Sequence, residues 1–320
     1  MKIKKIGILT SGGDAPGMNP AIRAIVRTAN AYNIEAYGIY DGYKGLITGN
    51  IKKLERIDVA DLLNRGGTFL GSARLPEFKE ESVRLQAIET LKKFGIDALV
   101  CIGGDGTYMG AYKLSQMGVP CIGVPGTIDN DIVSTEYTIG FDTTLNTIVE
   151  CIDKLRDTCY SHERCAVVEV MGRYCPDLAV RAGICCGAEY VLCKKEDYSE
   201  EKILEVVHNA KKAGKRDCII VVTEHTIPVK EIEDLLNKDG TYETRATVLG
   251  HIQRGGTPSA FDRVLASRLG VYAVELLAQG HTGICVGVKG ETLTYMDIVE
   301  ANTLPKKVPT TLMEQSKNLI

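Results

Sequence analysis

The chain has 320 residues, a formal net charge of −3, and ordinary shares of hydrophobic (44%) and charged (25%) residues. That is long enough for one large or two ordinary domains and typical of a soluble globular protein. With no global basic field, an aromatic content of 6% and no Trp, nucleic-acid recognition is disfavoured. No apolar stretch reaches transmembrane length. The run Ile6–Leu9 is too short for a signal sequence before Gly12-Gly13-Asp14 intervenes, so a cytoplasmic protein without membrane contact is expected. The 11 cysteines are irregularly spaced and include no CxxC pair, which argues against zinc and fits buried thiols in a reducing compartment.

Short apolar runs alternate with helix-period segments along the chain. A strand is expected over Ile6–Thr10, then a helix over Asn19–Ala31 and a strand over Glu35–Tyr40. A helix over Glu80–Phe94 leads to a strand over Ala98–Ile102, a helix over Tyr108–Met117 and a strand over Cys121–Val124. After a helix over Thr143–Thr158 come strands over Cys165–Val170 and Ala188–Cys193, a helix over Glu200–Ala213 and a strand over Cys218–Thr223. A helix over Ala260–Ala278 and a strand over Cys285–Val288 follow. Asp142 and Ser199 stand where helix caps belong, and Gly280 follows the last helix closely. Strands apolar along their length, alternating with helices, predict an α/β fold with mostly parallel sheets covered on both faces. The rhythm changes near Gly140, and Cys165–Val248 reads as a second α/β unit.

Candidate chemistry lies where strands end. The first strand runs into Ser11-Gly12-Gly13-Asp14, where glycines let backbone N–H groups approach a phosphate ahead of a helix. The spacing is neither the dinucleotide fingerprint nor the common nucleoside-triphosphate loop. The third strand ends in Gly103-Gly104-Asp105-Gly106-Thr107. Asp105 there suits magnesium, or capping of the following helix, or both. The fourth ends in Gly126-Thr127-Ile128-Asp129-Asn130-Asp131. Two carboxylates beside phosphate make sense if one holds magnesium and the other takes a proton from a hydroxyl nucleophile; otherwise they belong to a solvated turn. Arg74, Arg173, Arg245 and Arg254 stand in glycine-rich turns or at strand ends, with His251 among them, and guanidinium groups suit bidentate phosphate binding.

These motifs together resemble the bacterial ATP-dependent 6-phosphofructokinase family, and the match covers essentially the whole chain. It is carried by Leu9–Asn19 (LTSGGDAPGMN), Asn64–Arg74 (NRGGTFLGSAR), Ile102–Gly106 (IGGDG), Pro125–Asp131 (PGTIDND), Val168–Arg173 (VEVMGR) and Gly250–Gly256 (GHIQRGG). The resemblance implies two doubly wound, three-layer α/β/α domains. Residues 1–139 with 252–304 would form a larger ATP- and magnesium-binding domain, and 140–251 with 305–320 a smaller fructose 6-phosphate-binding domain. It implies magnesium-assisted transfer of the γ-phosphoryl group of ATP to the 1-hydroxyl of fructose 6-phosphate, the committed step of glycolysis.

Residue by residue, it implies Asp129 as general base, Asp105 as magnesium ligand and Asp131 close to the metal. Gly13 and Thr127 would contact the transferred group, with Arg74 and Arg173 neutralising its charge. Tyr43, Leu75 and the turn Gly104, Asp105, Gly106 and Thr107 would lie on the ATP side. Arg164, Arg245, His251 and Arg254 would hold the sugar phosphate, and Ile128, Met171, Gly172, Glu224, Ile252 and Gln253 the sugar. Arg164 and Arg245 would come from a neighbouring subunit of a homotetramer. Arg23, Arg27, Arg56, Arg156, Gly187, Glu189, Lys215 and Arg216 match an effector site for ADP or phosphoenolpyruvate. Ala213, Asp217, Lys194, Lys195 and Cys185-Cys186 depart from that pattern. Relatives using pyrophosphate carry an acid and a Lys where this chain has Gly106 and Gly126, so ATP is the expected donor. A different kinase with a Gly-Gly-Asp-Gly turn would lack Arg245, His251 and Arg254. A non-catalytic sugar-phosphate sensor would lack Asp105, Asp129 or Asp131, and all three are present.

Overall fold

A computed structural model describes residues 3–306, 308–316, 318 and 319. Residues 1, 2, 307, 317 and 320, which the expected domain ranges include, lie outside the described residues. The chain forms two compact units. The first takes the chain up to Ile128, Ile132–Thr143 and Arg254–Lys306; the second takes Asp129–Asp131, Thr144–Gln253 and the C-terminal residues. The expected boundaries near 139, 251 and 304 thus differ from these by a few residues, and Asp129–Asp131 groups with the second unit. One cause is visible: the Asn130 side-chain amide donates to Asp177 of that unit at 2.7 Å.

The first unit begins with β1 (Lys5–Thr10), α1 (Met18–Ala31), β2 (Glu35–Ile39), α2 (Gly42–Thr48) and β3 (Ile51–Leu54). It continues through α3 (Glu81–Phe94), β4 (Ala98–Gly103), α4 (Asp105–Gln116) and β5 (Cys121–Pro125). The chain then passes along α5 (Phe141–His162) and returns to the first unit with α9 (Ala260–Ala278), β10 (Ile284–Lys289), β11 (Thr292–Asp297) and α10 (Ile298–Thr303). The strand order is β11-β10-β5-β4-β1-β2-β3, parallel except for the two edge strands. β1, β4 and β5 are buried almost throughout. That explains their uninterrupted apolar runs, since each strand faces helices on both sides. α1 and α9 pack together. Side chains of α2, α3, α4 and α10 share one core cluster with Leu99 and Cys101 of β4.

The second unit contains β6 (Arg164–Val170), α6 (Asp177–Cys186), β7 (Tyr190–Leu192), α7 (Glu200–Lys212), β8 (Cys218–Thr223), α8 (Val229–Asp239), β9 (Glu243–Val248) and α11 (Thr310–Ser316). Its sheet, in the order β7-β8-β6-β9, is parallel throughout. α7 and α8 supply Ile203, Val207, Ile232 and Leu236 to its core. The architecture is α/β with mostly parallel sheets, as expected. Every described cysteine is free, and Cys101, Cys121, Cys165 and Cys218 are buried.

Ser199 caps α7 by accepting from the Lys202 amide at 3.2 Å. Asp142 is not a cap. It lies inside the first turn of α5 and accepts from the Ser259 hydroxyl at 2.5 Å. The entry to α5 is fixed instead by Asp262, which is fully buried. Its carboxylate accepts from the Gly140 amide at 2.8 Å and from the Thr143 amide and hydroxyl at 2.8 and 2.6 Å. Burial outweighs these donors and pushes its carboxyl up to about 6.

Asp262→Asn turns an amide N–H₂ toward at least one of these donors, and should cost about 1–3 kcal/mol in urea unfolding at pH 7. The folded carboxyl titrates above its ordinary value of 3.8, so its contribution is complete below pH 4 and lost as pH rises through about 6. The stability gap between wild type and Asp262→Asn should therefore be wider at pH 4 than at pH 7. A gap that does not change with pH would remove Asp262 from this linkage.

Candidate active site

In the first unit the three strand-end turns lie side by side because β1, β4 and β5 are neighbours in the sheet. The Ser11 amide donates to the Ile102 carbonyl at 3.1 Å, and the Gly126 amide to Gly103 at 3.1 Å. The Thr107 hydroxyl donates to the Ser11 carbonyl at 3.0 Å. Gly103 is required by this stitching: a Cβ there would lie 2.3 Å from the Thr107 hydroxyl and 2.5 Å from the Ser11 carbonyl. Gly12 takes φ +87°, a left-handed conformation that favours glycine. Thr127 neighbours Gly104, and its carbonyl accepts from the Thr138 hydroxyl at 2.6 Å.

Above the first turn lies a cleft of about 470 Å³, lined by Gly12, Gly13, Asp14, Gly66–Thr68, Gly71, Ser72, Arg74 and Arg254. The Arg254 guanidinium sits over Gly13; a Cβ on Gly13 would lie 3.5 Å from its Cζ. Arg254, expected among the sugar-phosphate residues, therefore shares this cleft with Gly13 and Arg74. The loop carrying Arg74 is held by residues to which the sequence alone assigned no role. The amide of buried Asn19 donates to the Arg65 and Gly66 carbonyls at 3.0 and 3.1 Å and accepts from the Phe69 amide at 2.8 Å. The Thr10 hydroxyl donates to Gly71 at 2.7 Å, and Ser72 Oγ donates to the Gly12 carbonyl at 2.7 Å.

Asp105 does not cap α4. Gly104 is the capping residue, and Asp105 opens the helix, where a carboxylate is favoured by the positive end of the helix dipole. Its carboxylate pairs with the Lys306 ammonium. Asp105 thus already attracts a cation while its side chain stays 31% exposed. The residues fit a magnesium ion that arrives on substrate phosphates and takes only one or two ligands from protein. Among the described residues there is no group of three or more His, Cys, Asp or Glu side chains that would cage a metal.

Tyr43 and Thr107 are buried, and the Tyr43 hydroxyl donates to the Thr107 carbonyl at 2.6 Å. The Tyr43 ring stacks on Phe78 with centroids 4.2 Å apart, so it supports the turn from within the core. Leu75 packs against the same core. Gly106 faces open space, with nothing within 4 Å of a Cβ built there. Gly126 does not: a Cβ would meet Ile102 at 2.9 Å and Met18 at 3.1 Å. Open space is thus seen at Gly106, whereas Gly126 answers to core packing.

In the second unit Asp129 is largely buried, and its carboxylate lies 3.8 Å from Nε of Arg173. Arg173 takes φ +57° and Gly172 φ +138°. Glu224 holds this strained turn, accepting from the Gly172 amide at 3.1 Å and the Arg173 amide at 2.7 Å. Burial pushes the Asp131 carboxyl up, against the pull of Arg173. Gln253, expected to touch sugar, is fully buried. It accepts from the Met171 amide at 3.0 Å and donates to the Gly250 carbonyl at 2.9 Å, so it shapes the Met171 turn. His251 and Ile252 beside it are exposed. Arg164 and Arg245, from neighbouring strands β6 and β9, share Glu243; Arg164 reaches it at 3.0 Å.

The expected effector residues fall in both units. In the first, the charges of Arg56 and Arg23, together with burial, hold the Arg27 guanidinium low. In the second, Arg156 pairs with Asp217 and donates to the Cys186 and Gly187 carbonyls at 2.6 and 3.1 Å. Glu189 pairs with Lys215 and accepts from the Ile219 amide at 2.6 Å, while Arg216 pairs with Glu163 at 3.0 Å.

The fold and its turns define an open-sheet α/β protein that presents glycine-rich and acidic turns at the carboxyl ends of its parallel strands, where ligands bind in such sheets. The chain belongs to the phosphofructokinase family, whose model matches residues 5–277. It is 58% identical over 299 residues to a protein of Vibrio campbellii named ATP-dependent 6-phosphofructokinase, covering 93% of each chain. A protein of the same name from Edwardsiella ictaluri is 55% identical over the same shares. The Pichia pastoris phosphofructokinase structure in the T-state matches with a TM-score of 0.89 and 36% identity over all of this chain, which spans 36% of the yeast chain. A pyrophosphate-dependent phosphofructokinase from Marinobacter aquaeolei, at 21% identity, shares the fold with a TM-score of 0.83 over 96% of this chain and 85% of its own.

Asn19→Ala removes three hydrogen bonds to one loop. It should destabilise the protein by about 1–3 kcal/mol and speed hydrogen exchange of the Phe69 amide while leaving β4 protected. Unchanged exchange at Phe69 would show that Asn19 does not hold this loop.

Proposed function

We propose that this chain transfers the γ-phosphoryl group of ATP to the 1-hydroxyl of fructose 6-phosphate, giving fructose 1,6-bisphosphate and ADP. The observation that carries the reading is the row of three stitched strand-end turns, with Arg254 over Gly13 and Arg74 lining the same adjoining cleft. The names of relatives 55–58% identical supply the substrates.

Phosphoryl transfer depends mainly on positioning and on charge neutralisation. The backbone of Gly12–Gly13 and the guanidiniums of Arg74 and Arg254 bind and orient the phosphoryl group. Asp129 is the group that accepts the sugar hydroxyl proton, with Arg173 orienting its carboxylate. Glu224 positions Arg173 through the two amides of the Gly172 turn. Arg164, Arg245 and His251 bind the sugar phosphate; Glu243 keeps the two guanidiniums together until that anion replaces it. Asp105 would hold magnesium, which would supply charge neutralisation at the phosphate oxygens. The basic groups around Arg27 and, separately, those around Arg156 are proposed to bind anionic effectors, and the assembly is proposed as a homotetramer acting in the cytoplasm. No described helix is long and apolar enough to cross a membrane.

Two measurements test this. Initial rates of fructose 1,6-bisphosphate formation, taken with ATP and with pyrophosphate as separate donors, should show turnover with ATP and its loss on chelation of magnesium. Turnover with pyrophosphate alone would overturn the donor, and none with either would overturn the reaction. Asp129→Ser should lower kcat by about 10²–10⁴-fold, the typical worth of a general base, with little change in fructose 6-phosphate affinity. An unchanged kcat would remove Asp129 from that role.

A further inference from the structure

One contact at the nucleotide end of the first unit stands outside this account. Lys306 follows α10 and places its ammonium on the carboxylate of Asp105, at the first residue of α4. A cation at that end of a helix opposes the dipole, which favours anions there and cations at the other end. The Asp105 carboxylate offsets this, and it is also the proposed magnesium ligand. Both side chains keep substantial exposure, 48% for Lys306 and 31% for Asp105, so the pair can open without unpacking a core.

We propose that Lys306 is a positioning residue for the metal-bearing substrate: it neutralises Asp105 in the ligand-free protein and yields that carboxylate when a divalent cation arrives. This rests on the reading of Asp105 as the metal ligand. A monovalent ammonium on a flexible stem is a competitor that a divalent cation displaces. Once Asp105 is taken, Lys306 faces both the added positive charge and the positive end of α4. The anions that arrive with the metal are nucleotide phosphate oxygens, and the ammonium transfers to them. Lys306 thus opposes metal binding alone and supports binding of metal with nucleotide.

The test is titration with Mn2+, as a paramagnetic substitute for magnesium, following the free ion by electron paramagnetic resonance, with and without a non-hydrolysable ATP analogue. Wild type, Lys306→Met, Lys306→Gln and Asp105→Asn are compared. Without nucleotide, both Lys306 variants should bind Mn2+ about two- to five-fold more tightly than wild type, the range set by a partly exposed ion pair. With the analogue, both should bind the Mn2+ complex more weakly than wild type. A Lys306 purely structural in role would change neither affinity, and unchanged or weaker Mn2+ binding without nucleotide overturns the proposal. Mn2+ binding insensitive to Asp105→Asn overturns the metal assignment together with the proposal. Sensitivity to Asp105→Asn with indifference to both Lys306 variants overturns the proposal alone.

Discussion

Parallel strands share a direction, and β1, β4 and β5 are consecutive in the order of the larger sheet. Their carboxyl ends therefore open on one edge, and the turns that follow must lie within hydrogen-bonding distance of one another. The bonds from Ser11 to Ile102, from Gly126 to Gly103 and from Thr107 to Ser11 are what this register dictates. The amides of Gly12 and Gly13, the Asp105 carboxylate and Thr127 are separated by more than a hundred residues of chain between the first and last. Strand order alone gathers them. The ligand edge of an open parallel sheet follows from the same geometry in unrelated α/β proteins.

Charge is arranged with equal economy. Several side chains proposed to meet an anion or a cation are engaged by protein groups of the complementary sign: Asp105 by Lys306, Asp129 by Arg173, and Arg164 with Arg245 by Glu243. A half-buried charge left unpaired is expensive, and a partner of the opposite sign lowers that cost before a ligand arrives. Such pairing also fixes rotamers. Arg173 is held twice, by the Asp129 carboxylate and through its own amide by Glu224, so its left-handed backbone is over-determined, as strained residues at functional sites must be.

Much of the first unit was legible because its strands are buried on both faces and read as continuous apolar runs. β3, β9 and β11 escaped that reading. β9 is Glu243–Val248, mostly polar and exposed in part, and only its pairing with β6 makes it a strand. β3 and β11 are antiparallel edges with charged or half-exposed residues. The segment Val229–Asp239 did carry a helical signal, with Val229, Ile232 and Leu236 on one face, yet it lay between turn-forming residues and was passed over. Gly126 shows a different limit. In the sequence it reads, with Gly106, as a mark of the ATP donor, whereas a Cβ there would meet Ile102 and Met18.

By itself the sequence determined the fold class, the family and the short motifs at strand ends, because burial patterns and turn chemistry are local properties written in neighbouring residues. The tertiary structure decided which side chains serve those motifs. Asn19 holds a loop some fifty residues away, Tyr43 supports a turn from inside the core, Gln253 faces a backbone amide, and Lys306 reaches Asp105 across 201 positions of chain. Such contacts depend on strand order and helix packing, and an amide, a phenol or an ammonium group carries no local mark of the distant partner it will meet.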